Sequence, residues 1–297
     1  MAQHATATGG AEAPVPAASR RRKVRLPRRP AALVGLTILA LVVLAAIFAP
    51  LIAPHDPNDQ DVTRRLQPPF KAGSTYVLGT DQVGRDVLSR IIYGTRVALI
   101  VGLSAVALSG AIGITLGLLS GFYGGYVDDL IGWVSNVELA FPFVLLAIAV
   151  VAVIGANLVN LVVVLSIVAW VTYARIVRAE ALAIRDLEFV QAARTIGVGD
   201  IRILFRHILP NVMTPVIVIA TFEVARMIIS EASLSFLGLG VEPRIPSWGS
   251  MLADGRQYLA TAWWIATFPG LGIVLTVLAI NLVGDWLRDV LDPRLQD

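Results

Sequence analysis

Residues 186–210 read Asp-Leu-Glu-Phe-Val-Gln-Ala-Ala-Arg-Thr-Ile-Gly-Val-Gly-Asp-Ile-Arg-Ile-Leu-Phe-Arg-His-Ile-Leu-Pro. This polar and basic interval separates two long apolar runs. Asp186 is placed to cap a short helix of about ten residues, which Gly197 would end in a left-handed conformation. Asp200 is placed to cap a second helix. The stretch therefore predicts two short helices outside the lipid, between two membrane spans.

An apolar stripe runs along the first of these short helices. Its members recur at helical spacing and are Phe189, Val190, Ala193 and Ile196. Gln191 and Arg194 lie beside it. A stripe of this kind either docks into a groove on another protein or lies on the membrane surface.

The composition is that of a polytopic membrane protein. Of the 297 residues, 56% are hydrophobic and 15% are charged, and the mean hydropathy is +0.75. The chain has no cysteine, which excludes disulfides and thiolate-ligated metals, and its three histidines are scattered. We therefore expect neither a metal site nor a cofactor in this chain.

Six apolar segments are long enough to cross a bilayer, which takes about 20 residues. They are residues 31–53, 97–119, 130–154, 158–179, 209–230 and 263–284. The sequence thus predicts an all-α membrane protein with six transmembrane helices. Residues 1–30 are predicted to form a disordered, basic cytoplasmic tail, since seven basic residues precede the first span. Both termini are then cytoplasmic, and residues 54–96 are extracytoplasmic.

Two helical features are predicted within this plan. Residues 86–94 indicate an interfacial helix that leads into the second span. The small residues between Gly110 and Gly121 favour close packing of that span against another helix.

Other polar and aromatic pairs receive structural interpretations. The neighbouring carboxylates Asp59/Asp61 and Asp128/Asp129 are expected to be loop and helix-cap residues, because no His or Cys accompanies them. Trp263 and Trp264 are expected to form part of an interfacial aromatic belt.

The interval that starts at Gln191 resembles a known motif. Ala192 and Ala193, then Gly197, then Leu209 and Pro210 follow the spacing of the cytoplasmic "EAA" loop found in permeases of binding-protein-dependent ABC importers. Gln191 stands where that motif has Glu. The resemblance implies a coupling loop at 180–207 that seats in an ATPase subunit. The residues it assigns to coupling are Gln191, Ala192, Ala193, Arg194, Gly197, Asp200, Leu209 and Pro210.

Three further stretches resemble the "C" member of the dipeptide/oligopeptide branch of these permeases. They are Val77-Leu-Gly-Thr-Asp-Gln-Val-Gly-Arg-Asp-Val-Leu-Ser-Arg-Ile-Ile-Tyr-Gly94, Glu231-Ala-Ser-Leu-Ser-Phe-Leu-Gly-Leu-Gly-Val-Glu-Pro-Arg-Ile-Pro-Ser-Trp-Gly249, and Gly284-Asp-Trp-Leu-Arg-Asp-Val-Leu-Asp-Pro-Arg294. By this resemblance, residues 97–297 form a permease core with five transmembrane helices in a bacterial inner membrane.

The same resemblance implies the partners. These are a second, homologous permease, two cytoplasmic ATPases that bind ATP and Mg²⁺, and an extracytoplasmic substrate-binding protein; nucleic acid is not expected. The chain itself has no G-x-x-x-x-G-K-[ST] motif, and its two lysines, Lys23 and Lys71, lie outside any phosphate-binding loop. The chain is therefore predicted to be a non-catalytic subunit of an ATP-driven importer.

The expected cargo is a dipeptide or oligopeptide, and permeases for nickel complexes, glutathione or haem remain alternatives. An ion-coupled secondary transporter is a rival from another class, but no inverted internal repeat is seen. A membrane scaffold without transport is a third alternative.

Glu223 and Arg226 interrupt the fifth apolar run. They are three residues apart and project from one face of a helix, so they can pair. Charges in a span are expected to face the bundle interior or a water-filled path. Two roles are open for them: a structural ion pair, or a part of the gate or substrate pathway.

Overall fold

The computed structural model describes residues 30–291, and the regular structure in that range is helical. The basic tail predicted before the first span lies, except for Pro30, outside the described residues. The helices are α1 (Pro30–Ile47), α2 (Ala49–Ile52), α3 (Val87–Tyr123), α4 (Gly125–Leu139), α5 (Phe143–Ile154), α6 (Leu158–Arg185), α7 (Glu188–Thr195), α8 (Asp200–Ile203), α9 (Leu209–Phe236), α10 (Trp248–Gly255) and α11 (Trp264–Leu291). A π-helical turn, Leu204–Ile208, joins α8 to α9 without a break.

Five helical stretches of residues 30–291 are long and apolar enough to span a bilayer, and there are six spans when α4 and α5 count as one. The third predicted span, 130–154, falls on α4 and α5, which meet at 92° and are therefore not one continuous helix. Pro142 lies at the bend, where it lacks the N–H that would continue the hydrogen-bond ladder of α4. The first span also differs from its predicted range, since α1 ends at Ile47.

The second predicted span is part of a longer helix. α3 runs without interruption for 37 residues, and the side chain of Asp86 caps its start by accepting from the amides of Leu88 and Ser89. The helix predicted at 86–94 is therefore present and leads into the second span, and its interfacial position stays a prediction. Its residues are the first turns of α3, and they are buried in part beneath Trp248, whose Nε1 donates to the carbonyl of Ile91 at 3.1 Å.

The closest helix pairing is that of α3 with α6. Gly113, Gly117 and Gly121 lie four residues apart on α3, and α6 presses against all of them. A Cβ added at Gly113 would lie 2.4 Å from the carbonyl oxygen of Trp170, and one at Gly117 would lie 2.6 Å from that of Ala174. The prediction of close packing by small residues is confirmed.

Residues 54–86 form an irregular polar cap over one end of the bundle. Trp264, at the start of α11, is 5% exposed and donates its indole N–H to the carbonyl of Thr80 at 3.1 Å. The prediction of an aromatic belt is thus wrong for Trp264, which fastens the cap to α11. Trp263 is 48% exposed.

Candidate coupling loop and intramembrane polar layer

The loop at 186–210 starts with α7, although not in the way predicted. Asp186 follows α6 as its C-cap residue, and Leu187 is the N-cap of α7 without a capping side chain. Asp200 is the first helical residue of α8, and Gly199 is its N-cap. Each Asp therefore lies one position away from the N-cap that the structure shows. A carboxylate at the start of α8 still interacts favourably with the positive end of the helix dipole.

Gly197 ends α7 in the predicted left-handed conformation, with φ of +82°. The amide of Val198 donates to the carbonyl of Ala193 at 3.0 Å, and the amide of Gly197 donates to that of Arg194 at 2.9 Å. This pair of bonds is a Schellman motif, which requires the positive φ that glycine adopts without strain.

The apolar stripe of α7 is divided between two faces. Val190 and Ala193 are buried in the core of this chain, at 0% and 6% exposure. Phe189 and Ile196 are exposed, as is Ala192. The surface that α7 offers to a partner is therefore the face with Phe189, Ala192 and Ile196, while Ala193 fixes the helix to its own chain.

Polar contacts hold α7 against the ends of the spans. The guanidinium of Arg194 lies 4.8 Å from the ring centroid of Phe122, at the end of α3. The side-chain amide of Gln191 donates to the carbonyl of Arg185, at the end of α6. These contacts join α7 to α3 and α6.

The second half of the loop continues into α9. Leu209 and Pro210 are the first two residues of α9, where proline is tolerated. A wide, open cleft of ≈ 1200 Å³ lies between this segment and the end of α3. Its lining residues include Tyr123, Asp200, Arg202, Phe205 and Pro210.

Glu223 and Arg226 form an ion pair on α9, with Nη1 of Arg226 donating to Oε1 of Glu223 at 3.0 Å. Their surroundings differ, because the Glu223 side chain is 7% exposed and that of Arg226 is 50% exposed. Oε2 of Glu223 is buried with no hydrogen-bond partner within residues 30–291. The pair thus bridges the bundle interior and the outer surface of this chain.

The structure adds three side chains to this polar layer that the sequence did not single out. Tyr173 of α6 is close enough to Glu223 to interact electrostatically, and its buried hydroxyl has no partner in the described chain. Glu138, just before the bend between α4 and α5, accepts from Nε1 of Trp170 at 2.7 Å. Trp170 and Tyr173 lie one turn apart on α6, so they connect the bend in α4 and α5 to the ion pair on α9.

Asp128 has a different role from the one predicted. It lies in the first turn of α4, and its two oxygens accept from Nε and Nη2 of Arg178 at 2.5 and 2.6 Å. It also accepts from Ser120 of α3. The prediction that it is a loop or cap residue is wrong, because it ties α4 to α3 and α6. Asp61, by contrast, does cap a helical turn, by accepting from the amide of Thr63.

A buried ionic cluster in the polar cap was also missed by the sequence analysis. Asp81, 2% exposed, accepts from Nε of Arg85 at 2.6 Å and from Nη1 of Arg90 at 3.1 Å. Nη2 of Arg85 reaches Asp254 of α10 at 3.1 Å. Burial raises the pKa of Asp254, while Arg85 acts in the opposite direction. The cluster joins residues 81–90 to α10, which is distant in sequence.

Residues 30–291 contain no group of His, Asp and Glu side chains arranged to hold a metal ion.

Matches to known protein families identify the family of this chain. Residues 113–297 match the model of the binding-protein-dependent transport system inner membrane component. This range contains the coupling loop and every span after the first two. The chain belongs to this permease family. Residues 20–69 match a second model, the N-terminal TM domain of oligopeptide transport permease C. The permease is accordingly a multi-pass protein of the bacterial inner membrane, in a family that works with ATPase subunits.

Relatives match this permease over almost its whole length. The di/tripeptide transport system permease protein DppC of Pseudomonas aeruginosa is 46% identical over 90% of this chain and 89% of its own. The dipeptide transport system permease protein DppC of Haemophilus influenzae is 43% identical over 89% of this chain and 91% of its own. The glutathione transport system permease protein GsiD of Pectobacterium atrosepticum is 44% identical over 88% of this chain and 86% of its own.

The fold is shared with a solved transporter. A chain of the MetNI methionine ABC transporter, in an inward-facing conformation, superposes with a TM-score of 0.54 over 68% of this permease and 96% of that chain. At 19% sequence identity, this likeness concerns the fold alone.

Proposed function

We propose that this permease is the "C"-type subunit of an ATP-driven importer of dipeptides or oligopeptides. It forms half of the translocation pathway, beside a second homologous permease. Two cytoplasmic ATPases bind ATP and Mg²⁺ for it, and an extracytoplasmic binding protein delivers the peptide. The permease itself has no cofactor and catalyses no reaction. The relatives named for dipeptide and di/tripeptide transport support this cargo. The relative named for glutathione transport makes glutathione, itself a tripeptide, the second candidate.

The observation that carries the transport mechanism is the division of α7 into two faces. Val190 and Ala193 pack in the core of the bundle and attach α7 to it. Phe189, Ala192 and Ile196 leave an apolar face free for an ATPase. A helix fixed on one side and docked on the other passes the closure of the ATPases to α3, α6 and α9. The bundle then opens alternately to the two sides of the membrane.

The pathway is proposed to follow the polar layer. Glu223 and Arg226 would act at the gate, because Arg226 reaches the surface of this chain, where a second permease would face it. A charged layer that faces a water-filled path avoids the cost of placing charges in lipid.

An uptake experiment tests the proposal. The permease, its homologue and the ATPases are reconstituted in vesicles, and ATP-driven entry of a labelled dipeptide is measured with the loaded binding protein. Ala192→Arg places a charge on the free face of α7 and should abolish uptake while the complex still inserts. Ala192→Ser is the matched control, since it changes the same exposed residue without adding a charge or much volume. Normal uptake by Ala192→Arg would refute coupling through this face. Uptake of nickel complexes or haem without uptake of any peptide would refute the cargo.

A further inference from the structure

A groove between α1 and α3 is lined by apolar side chains except at one point. Its walls are Val43, Ala46 and Ile47 of α1 and Leu99, Ile100 and Leu103 of α3. Its volume is ≈ 430 Å³, and Arg96 is the one charged residue that lines it. Arg96 lies one helical turn before Leu99 and Ile100, at the end of the groove nearer to the start of α3.

Arg96 has no ion-pair or hydrogen-bond partner among residues 30–291. It differs in this from Arg85 and Arg90, which pair with Asp81. The walls of the groove cannot supply an anion, because neither α1 nor α3 contains Asp or Glu. Within the described residues the guanidinium of Arg96 is thus left without a counter-charge, and it is free to pair with an anion that enters the groove.

The depth of Arg96 in the membrane indicates where that charge comes from. The apolar run of the second span begins at residue 97, so Arg96 lies at the boundary between the hydrocarbon and the headgroups. Leu103 lies seven residues further on, about 10 Å deeper along the helix. The site thus offers a cation at the level of the lipid phosphates and an apolar groove below it.

We propose that this groove binds one anionic glycerophospholipid of the membrane. Its phosphate pairs with Arg96, whose planar guanidinium forms paired hydrogen bonds with phosphate oxygens. One acyl chain lies along the groove, where Ala46 and Leu99 form the buried floor and Ile47, Ile100 and Leu103 form the exposed rim. An anionic headgroup such as phosphatidylglycerol is preferred over phosphatidylethanolamine, because the ammonium of the latter competes with Arg96 for the phosphate.

Native mass spectrometry of the purified complex tests the site. Phosphatidylglycerol is titrated into the detergent solution, and the affinity of each bound lipid is read from the adduct series. Arg96→Gln should weaken one binding event by roughly five- to tenfold, the effect of losing about one charge contact at a membrane surface. Ile47→Trp fills the groove from its exposed rim without altering any charge, and it should weaken the same event. Arg65→Gln is the control, because Arg65 is an exposed arginine of the polar cap outside the groove.

Several outcomes would overturn the proposal. Unchanged affinity in Arg96→Gln would mean that no lipid phosphate binds there. Equal weakening in Arg96→Gln and Arg65→Gln would show general electrostatic attraction. Loss of the second permease from the Arg96→Gln complex, with an unchanged lipid count, would assign Arg96 to a carboxylate of a partner protein. If Arg96→Gln fails to assemble, Ile47→Trp decides, and undiminished lipid binding in that variant rejects the groove.

Discussion

Glu223 is an acidic residue in a membrane span, and only one oxygen of its carboxylate is paired. Arg226 binds one of its oxygens, and the other has no partner within the described residues. We predict that an Arg226→Ala complex assembles at full yield but transports at least about tenfold more slowly, a rise of about 1.4 kcal/mol in the barrier. The reason is that an unpaired carboxylate remains at the gate. Uptake and ATPase stimulation by the loaded binding protein are the measurements.

The structural alternative for the same pair predicts different behaviour. Arg226→Ala would then lower the yield of assembled complex, because a buried carboxylate loses its partner. Adding Glu223→Gln would restore part of that yield. A normal transport rate in a fully assembled Arg226→Ala complex rejects the gate.

Asp81 is the acceptor at the centre of the ionic cluster in the polar cap. Asp81→Asn removes the charge that faces two guanidinium groups, those of Arg85 and Arg90, whose side chains are 11% and 4% exposed. Breaking a buried pair in this way costs about 3–5 kcal/mol. We therefore expect a lower melting temperature for the purified complex, measured by thermal denaturation. Asp59→Asn, at an exposed carboxylate of the same cap, is the control; equal stability of the two variants would contradict the role of Asp81.

At the scale of helices, the contact of α3 with α6 depends on the absence of side chains. At Gly117 a methyl group would meet the carbonyl of Ala174 at 2.6 Å and Cβ of Val177 at 2.8 Å, whereas at Gly110 it would meet only ordinary contacts at 3.9 Å. Gly117→Ala should therefore destabilise the bundle by about 1–3 kcal/mol through overpacking, and Gly110→Ala should not. The yield of folded protein in detergent and its thermal midpoint distinguish the two. An unchanged thermal midpoint in Gly117→Ala would mean that α3 and α6 move apart at no cost in stability.

The sequence shows this contact but not the bend in the third span. Small residues four apart are visible along residues 113–121, so close packing could be predicted. The apolar run of 130–154 has the composition of a straight span, and hydropathy does not report a change in the direction of the helix axis. Pro142 was the available signal, but prolines also occur in continuous helices here, as Pro215 in α9 and Pro269 in α11 do. The contacts of Asp128 with Arg178 and of Glu138 with Trp170 hold α4 against α6 beside the bend, and only the folded chain brings these residues together.

At the scale of the whole molecule, local patterns predicted the order of the spans and the position of α7. They could not predict the polar cap, because its contacts join residues far apart in the chain. Arg85 binds Asp254, and Thr80 binds Trp264. In the predicted topology, these contacts join the first extracytoplasmic segment to the last one. The ionic cluster also neutralises two of the six basic residues of that segment, Arg85 and Arg90, which weakens their opposition to the positive-inside rule.

The predicted orientation of the molecule in the membrane is open to a direct test. Gly199 lies in the loop before α9 and Arg244 in the loop after it, at opposite ends of a 28-residue helix about 42 Å long. The chain lacks cysteine, so a single introduced cysteine is the one thiol in it that can be labelled. An impermeant maleimide applied to intact spheroplasts should label Arg244→Cys and leave Gly199→Cys unlabelled, and inverted vesicles should give the opposite result. Labelling of Gly199→Cys in intact spheroplasts would place α7 outside the cell, where no ATPase could reach it, and would remove the basis for coupling.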